Sequence, residues 1–495
     1  MRNNEPEHIR ALTELAGGNA VRTGSDATAH LTDWRGRHKG KAMAVVLPAS
    51  TEDVARVVRY CRENRIAVFP QGGNTSLCAG SVPPEDDRCC IVLSTDRLRR
   101  LREIDAAADV AIVEAGVTLA ALHDAAESAG RLFPLRLGSE GTAQIGGLIS
   151  TNAGGTGAVR YGVMRDLVLG LEAVLPDGSV VSRLGGLRKD NRGYDWKHLM
   201  IGGEGSLGIV TAAAVKLFPA VRDSAHAACI VSDPDAAVAL LQRLRARFDT
   251  AIHAFELVSG GEIDLALRHV EGLRAPFTPT PPWIVMIELG SSDSEAGLDE
   301  KLTGFLGRVL SEGMIEDAVI PASGQQVNEL WAVRHSLSEA NKKAGHGIVF
   351  DVAVRISDVP RFIRESTQIV KDHTPLADPV FVCHLGDGNV HLIAMIPREV
   401  VPASGILEPL VHGLQDKVHD LAERLGGSFS AEHGIGRKLA DEMARRLPPA
   451  EMRLMHAIKQ ALDPHGVFAP DVLLTSKAES EPARMIADDD QTPPR

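Results

Sequence analysis

Residues 138–157 read GSEGTAQIGGLISTNAGGTG, with seven glycines in 20 positions. Ile145, Leu148 and Ile149 recur among the glycines. A flexible linker has no use for such apolar anchors, so the stretch must pack against a core. Glycine bares the main chain and permits close approach to a neighbour. The segment therefore suits a long, flat ligand held by backbone; a buried glycine-rich turn is the plainer alternative.

A second loop, Pro70-Gln71-Gly72-Gly73-Asn74-Thr75-Ser76, follows a strand-like Ile66–Phe69. Two adjacent glycines and consecutive N–H groups can form a nest for phosphate oxygens, with Asn74, Thr75 and Ser76 adding side-chain donors. A plain surface turn is the competing reading. One motif misleads: Gly203–Gly208 fits G-x-G-x-x-G, which means dinucleotide binding only between a strand and a helix. The following IVTAAAVKLFP alternates and ends at a proline, so it reads as a strand and speaks against an NAD-binding Rossmann unit. No G-x-S-x-G elbow occurs.

Two further motifs carry ionisable groups. In His384-Leu-Gly-Asp-Gly-Asn-Val-His391, strand-like runs flank Gly386–Asn389, which is turn chemistry. Two histidines across a tight hairpin suit a divalent transition metal, unless they are a structural pair. Ser430-Ala-Glu432-His433-Gly-Ile-Gly436 follows a short β run and precedes a helix expected from Arg437. If this stretch is extended, neighbouring side chains point opposite ways. One of Glu432 and His433 then completes a His-His-Glu set and the other is free as a base. Three protein ligands with an open position is the catalytic pattern for zinc. A surface acid with a capping histidine is the alternative. Cys383 reads as a small buried hydrophobe, and His412 and His419 as a solvated or half-buried helix face.

Composition narrows the function classes. The 495 residues suggest about two to four domains. Lys+Arg is 53 against Asp+Glu 65, a net charge of −12, and aromatics are 4%. Both argue against a nucleic-acid binder. No apolar run is long enough for a transmembrane helix, and MRNNEPEHIR lacks a secretory core. Six cysteines without a C-x-x-C pair point to a cytoplasmic protein with free thiols. The expected organisation is a lead-in over 1–41, a first domain over 42–221, a second over 222–475 and a disordered tail over 476–495.

The ordered series PQGGNTSLCAGSVP, GGLISTNAGGTGAVRYGVMRDLVLGLEAVLPDG, LRKDNRGYDWKHLMIGGEGSLGIVT, HLGDGNVHL and AEHGIG resembles the FAD-dependent D-2-hydroxyacid dehydrogenases of the vanillyl-alcohol-oxidase flavoprotein superfamily. The resemblance covers roughly residues 40 to 472. It implies an α+β fold: a two-subdomain FAD-binding domain, then a substrate domain with an antiparallel sheet and helices on one side. It further implies that the final stretch, Asp463–Pro470, returns to the flavin.

By resemblance, Gly72, Gly73, Asn74 and Thr75 hold the FAD pyrophosphate, and Gln71 also binds the cofactor. Ser81, Gly138, Gly141, Thr142, Gly146, Thr151, Asn152 and Ile209 lie along the flavin, with no covalent link. His384, His391 and Glu432 match a divalent metal site, zinc by preference. His433 matches the catalytic base, Arg334 the arginine for the substrate carboxylate, and Ser338 an assisting hydroxyl. The implied activity is oxidation of a small D-2-hydroxyacid. Electrons then pass to an electron-transfer flavoprotein, quinone or cytochrome rather than to NAD. A homodimer, an FAD subunit of a glycolate or lactate oxidase-type complex, and a D-2-hydroxyglutarate-specific enzyme all fit the same motifs.

Four positions depart from the pattern. Val349 stands where relatives often carry Lys, Arg355 where they have Pro, and Ile393 and Ala469 where they have Asn. The apolar Val349 and Ile393 predict a preference for a short or apolar tail, unless Arg355 replaces the missing lysine.

Overall fold

Ser50 Oγ accepts the Asp53 N–H at 3.1 Å and starts the helix Thr51–Glu63, as its capping sequence predicts. Val54, Val57, Val58 and Cys61 turn inward from that helix and are buried. They help build a core with a four-stranded sheet, in the order Val21–Arg22, Ala44–Val46, Cys90–Ser94, Ala67–Gln71. The last three strands run parallel. This computed structural model describes residues 4–400 and 408–475, so the expected tail lies outside the described residues.

The chain returns to this first sheet near its end. Val68 donates to Val467 O and accepts from Ala469 N, each at 2.8 Å, so Phe468 bridges Val68 in parallel. Asp463 holds the returning stretch by accepting the N–H groups of Val467 and Phe468, both at 2.9 Å.

A second, antiparallel sheet follows in the order Leu101–Asp105, Val110–Glu114, Ile209–Lys216, Val168–Val174, Val180–Ser182. The glycine motif at 203–208 thus feeds a strand, and the nucleotide reading of it falls. The stretch 138–157 contains a short helix, Ile145–Ser150, that its glycines had hidden. Gly146 lies so close to Ala115 that an added Cβ would sit 2.7 Å from the alanine Cβ. Ile145, Leu148 and Ile149 are buried as expected.

The second half is a seven-stranded antiparallel sheet. Its order is Asp317–Val319, Asp223–Ile230, Trp283–Ser291, Ile252–Ser259, Asp378–His384, Asn389–Pro397, Gly345–Ala353. Helices cover both faces, not one. Pro234–Phe248, Leu298–Ser311, Val359–His373 and Glu408–Arg424 pack on one side. Gly260–His269, Gly324–His335 and Leu337–Ala344 pack on the other. The reason is visible in the strands: Ile252–Ser259 and Trp283–Ser291 bury residues on both faces and so require cover on both.

Candidate active site

The loop after Ala67–Gln71 presents an unusual surface. None of the backbone N–H groups of Gly72, Gly73, Asn74 and Thr75 donates to the protein among the described residues. Asn74 sits at φ 54°, in the left-handed region. Four free, consecutive N–H groups are the chemistry of an anion nest, which fits the pyrophosphate of FAD. Gly73 touches the glycine-rich stretch so closely that a Cβ there would lie 1.8 Å from Thr142 O.

The side chains of this loop are occupied elsewhere. Gln71 is buried, with Nε2 donating to His30 O and Ser81 O at 2.9 and 3.0 Å. Asn74 Nδ2 donates to Ala29 O and Thr32 O, and its Oδ1 accepts from Ser81 Oγ at 3.0 Å. Gln71, Asn74 and Ser81 therefore brace the loop against residues 29–32 and leave the anion to the backbone. Among the other expected flavin contacts, Gly138, Gly141 and Thr142 are exposed. Thr151 Oγ1 is turned back on Gly147 O. Asn152 Oδ1 accepts from Arg165 N. The Ile209 side chain points into the core between Val174 and Phe468.

The hairpin Asp378–His384/Asn389–Pro397 brings its two histidines together, with ring centroids 5.3 Å apart. His384 Nε2 is 3.7 Å and His391 Nε2 3.2 Å from the same Glu432 Oε1. At the other ring nitrogen each faces a carboxylate: His384 Nδ1 is 2.8 Å from Glu256 Oε1, and His391 Nδ1 3.4 Å from Asp351 Oδ1. A carboxylate behind each imidazole fixes the ring and aims the second nitrogen, the usual support of a metal-ligating histidine. Two imidazoles and a carboxylate converging this way fit a divalent metal such as zinc.

Asp351, His391, Glu432 and His433 also bring one donor atom each to within 4.8 Å of one another. Asp351 is the weaker ligand candidate, because its oxygens are engaged. Oδ1 accepts from Asn389 Nδ2 at 2.9 Å, and Oδ2 accepts the backbone N–H groups of Glu432 and His433 at 2.9 and 2.8 Å. Two consecutive N–H groups on one oxygen make residues 431–433 a turn, not an extended run. The expectation that Glu432 and His433 diverge is thereby corrected, and both reach the same centre. The following helix begins at Ala440 rather than Arg437, since the Arg437 and Lys438 N–H groups both donate to Cys78 O.

His433 stacks on His391 at 5.3 Å with 19° between ring planes, and its Nδ1 lies 3.4 Å from Asp351 Oδ2. Burial lowers the His433 pKa, with the Asp351 charge opposing. Burial alone would push Glu432 up, but its bonds to His384 and His391 hold it well below the ordinary carboxylate range. For His384, burial favours the neutral ring, yet the Glu256 charge raises it well above its usual value. Glu256, despite full burial, is held to about 2 by His384 and Arg334.

Arg334 gives its Nε and Nη2 to Glu256 Oε2, at 2.9 and 2.7 Å. It is thus joined to His384 through one carboxylate, while Nη1 has no partner among the described residues. Ser338, four residues on, is exposed, and its hydroxyl has no hydrogen-bond partner among the described residues. Cys383 is fully buried, as a core residue. His419 is buried too, its Nδ1 2.9 Å from Glu442 Oε1, which corrects the half-solvated reading; the side chain of His412 lies outside the described residues. Asp351 and Glu256 carry no local sequence signal as site residues. Only the alternation of their strands, which places Glu256 across from His384 and Asp351 across from His391, reveals them.

Two family models match this chain: an FAD binding domain over residues 42–183, and the C-terminal domain of FAD linked oxidases over 221–473. A mitochondrial D-2-hydroxyglutarate dehydrogenase of Arabidopsis thaliana is 36% identical over 89% of this chain and 76% of its own length. The Bos taurus mitochondrial enzyme of that name is 33% identical over 95% and 84%, and one from Xanthomonas citri pv. viticola 34% over 89% and 91%. Among solved structures, p-cresol methylhydroxylase superposes with a TM-score of 0.75 at 18% identity, covering 96% of this chain and 98% of that one.

Proposed function

Since the chain belongs to the FAD-linked oxidase family, we propose that it oxidises a D-2-hydroxyacid to the 2-oxoacid on non-covalent FAD, assisted by a divalent metal, zinc by preference. The observation that carries this reading is the meeting of His384 Nε2 and His391 Nε2 on Glu432 Oε1, with His433 alongside.

FAD held by the nest at Gly72–Thr75 would supply the acceptor for the hydride from C2. A metal held by His384, His391 and Glu432 would supply Lewis acidity toward the substrate hydroxyl. His433 takes the hydroxyl proton. Its lowered pKa keeps it neutral near pH 7, the state a base must start in. With Nδ1 turned to Asp351, Nε2 is the atom that receives the proton. Arg334 offers the substrate carboxylate the end of its guanidinium that Glu256 leaves free, and so orients C2. Ser338, near the start of the following helix Leu337–Ala344, would assist through its hydroxyl. The onward acceptor would be other than NAD: an electron-transfer flavoprotein, quinone or cytochrome.

Anaerobic bleaching of the flavin against a panel of D- and L-2-hydroxyacids tests this. Bleaching by D acids alone is expected. A flavin that no D-2-hydroxyacid reduces would sink the reading.

A further inference from the structure

The turn that carries His433 is gripped from two sides by carboxylates, a buried one at Asp351 and a half-buried one at Glu204. Asp351, from the substrate half, accepts the N–H groups of Glu432 and His433. Glu204, from the flavin half, accepts those of Ile435 and Gly436, each at 2.8 Å and each on a separate oxygen. Glu204 has no ion-pair partner among the described residues. Its negative end is met by main chain alone.

Several features show that this contact is built rather than incidental. Glu204 holds φ at 47°, the left-handed region that a non-glycine residue adopts at a cost. Its own N–H is fixed to Ser150 O at 2.8 Å. Gly434 and Gly80 line the carboxylate: a Cβ on Gly434 would lie 2.8 Å from Oε1, and one on Gly80 3.1 Å from Oε2. A side chain at Gly434 would displace the Glu204 carboxylate, and one at Gly80 would press on it. Burial pushes the Glu204 carboxyl up to about 7, against the pull of its two N–H partners.

We propose that Glu204 is a positioning residue for His433: a side chain of the cofactor half that sets where the base of the other half stands. The proposal rests on His433 being the base. Its physical motive is alignment. Hydride and proton leave neighbouring atoms, so the base must be placed relative to the flavin, and a misplacement of about 1 Å can cost roughly 10²-fold in rate. The flavin nest and the hairpin histidines belong to different halves. The Glu204 contact ties the base directly to the cofactor half. Cys78, whose Sγ donates to Gly434 O at 3.1 Å, adds a second tie from the same side.

The test is a double-mutant cycle on the FAD-loaded protein with Glu204→Ala, His433→Ala and the pair. The reading is the limiting rate of anaerobic flavin reduction, with whichever of D-lactate and D-2-hydroxyglutarate bleaches faster. FAD and metal content are measured alongside. Glu204→Ala should keep both cofactors and slow reduction about tenfold or more, with little change in the half-saturating substrate concentration. Glu204→Gln, which keeps one acceptor oxygen, should fall between it and the native enzyme. In the His433→Ala background the Glu204 change should cost nothing further. Additive losses, or a native rate in Glu204→Ala, would overturn the positioning role while leaving the base intact. Loss of FAD from both Glu204 variants would overturn it as well, by placing the residue in cofactor binding. A fully active His433→Ala would remove the base itself, and the proposal with it.

Discussion

Asn341 Nδ2 donates to Glu262 Oε1 at 2.6 Å, while Asn341 Oδ1 and Glu262 Oε2 are both buried without a partner among the described residues. Two orphaned acceptors are costly. A proton on Glu262 Oε2 turns one of them into a donor. Burial pushes the Glu262 carboxyl up to about 7, with the Asn341 bond and the Arg334 charge opposing. The folded chain thus holds this proton more tightly than the unfolded chain, whose value is near 4.5. The stability it confers is present in full below that lower value and is lost as the pH rises toward 7. The loss is on the order of 3 kcal/mol at most. Glu262→Gln should flatten this slope and be the more stable protein at pH 8. Urea midpoints of the two proteins at pH 5 and pH 8 decide it; equal slopes would refute a protonated Glu262.

Glu256→Gln should weaken metal binding by about 10- to 100-fold, the usual cost of losing the support behind a ligating histidine. His384→Ala and His391→Ala should lose metal and turnover together yet keep FAD, because the nest at Gly72–Thr75 belongs to the other half of the chain. Chelator competition gives the affinities, and absorbance gives the flavin. Full activity in a metal-free preparation would exclude the metal role.

His433→Ala should keep both metal and flavin and slow flavin reduction by about 10²-fold or more, the scale of a lost general base. If that variant instead loses its metal, His433 is itself a ligand.

FAD should leave the protein on acid or heat denaturation, since the loops around it offer hydrogen bonds and no covalent attachment. Flavin remaining on the denatured chain would contradict this.

Local signals were legible where one short stretch decides the outcome. Ser50 before a helix, Gly178 in a hairpin turn and the two histidines flanking Gly386–Asn389 all stand where their chemistry demanded. The supporting groups were not legible. Glu256 lies 128 residues before His384, and Glu204 lies 231 before Ile435. No periodicity links such pairs; only the strand order and the return of the chain bring them together. The turn at residues 431–433 has the same origin. Their backbone conformation is set by Asp351, a residue 81 positions away from Glu432. Gln71 and Asn74 illustrate the converse. Both belong to a recognisable ligand loop, yet their side chains serve a partner, residues 29–32, that no local pattern announces.

Substrate preference is where the relatives and the residues pull apart. Several relatives are named D-2-hydroxyglutarate dehydrogenases, and a second carboxylate buried without a partner is costly. Val349 and Ile393 are cross-strand partners on the face that carries Asp351 and His391, two residues along and roughly 7 Å away. They form an apolar corner beside the site. Arg355 cannot fill in for a lysine there. It lies beyond Asp351 in the opposite direction along the strand, at the hairpin end, and is exposed. The expected preference is for a short or apolar tail, read as kcat/KM for D-lactate or D-2-hydroxybutyrate against D-2-hydroxyglutarate. Val349→Lys should shift that ratio toward the diacid. A native enzyme already favouring the diacid by tenfold, about 1.4 kcal/mol, would refute the apolar corner as the deciding element. Cations available to read the distal carboxylate would then include Arg35, whose charge is felt at His433, and Lys438. Neither forms an ion pair among the described residues.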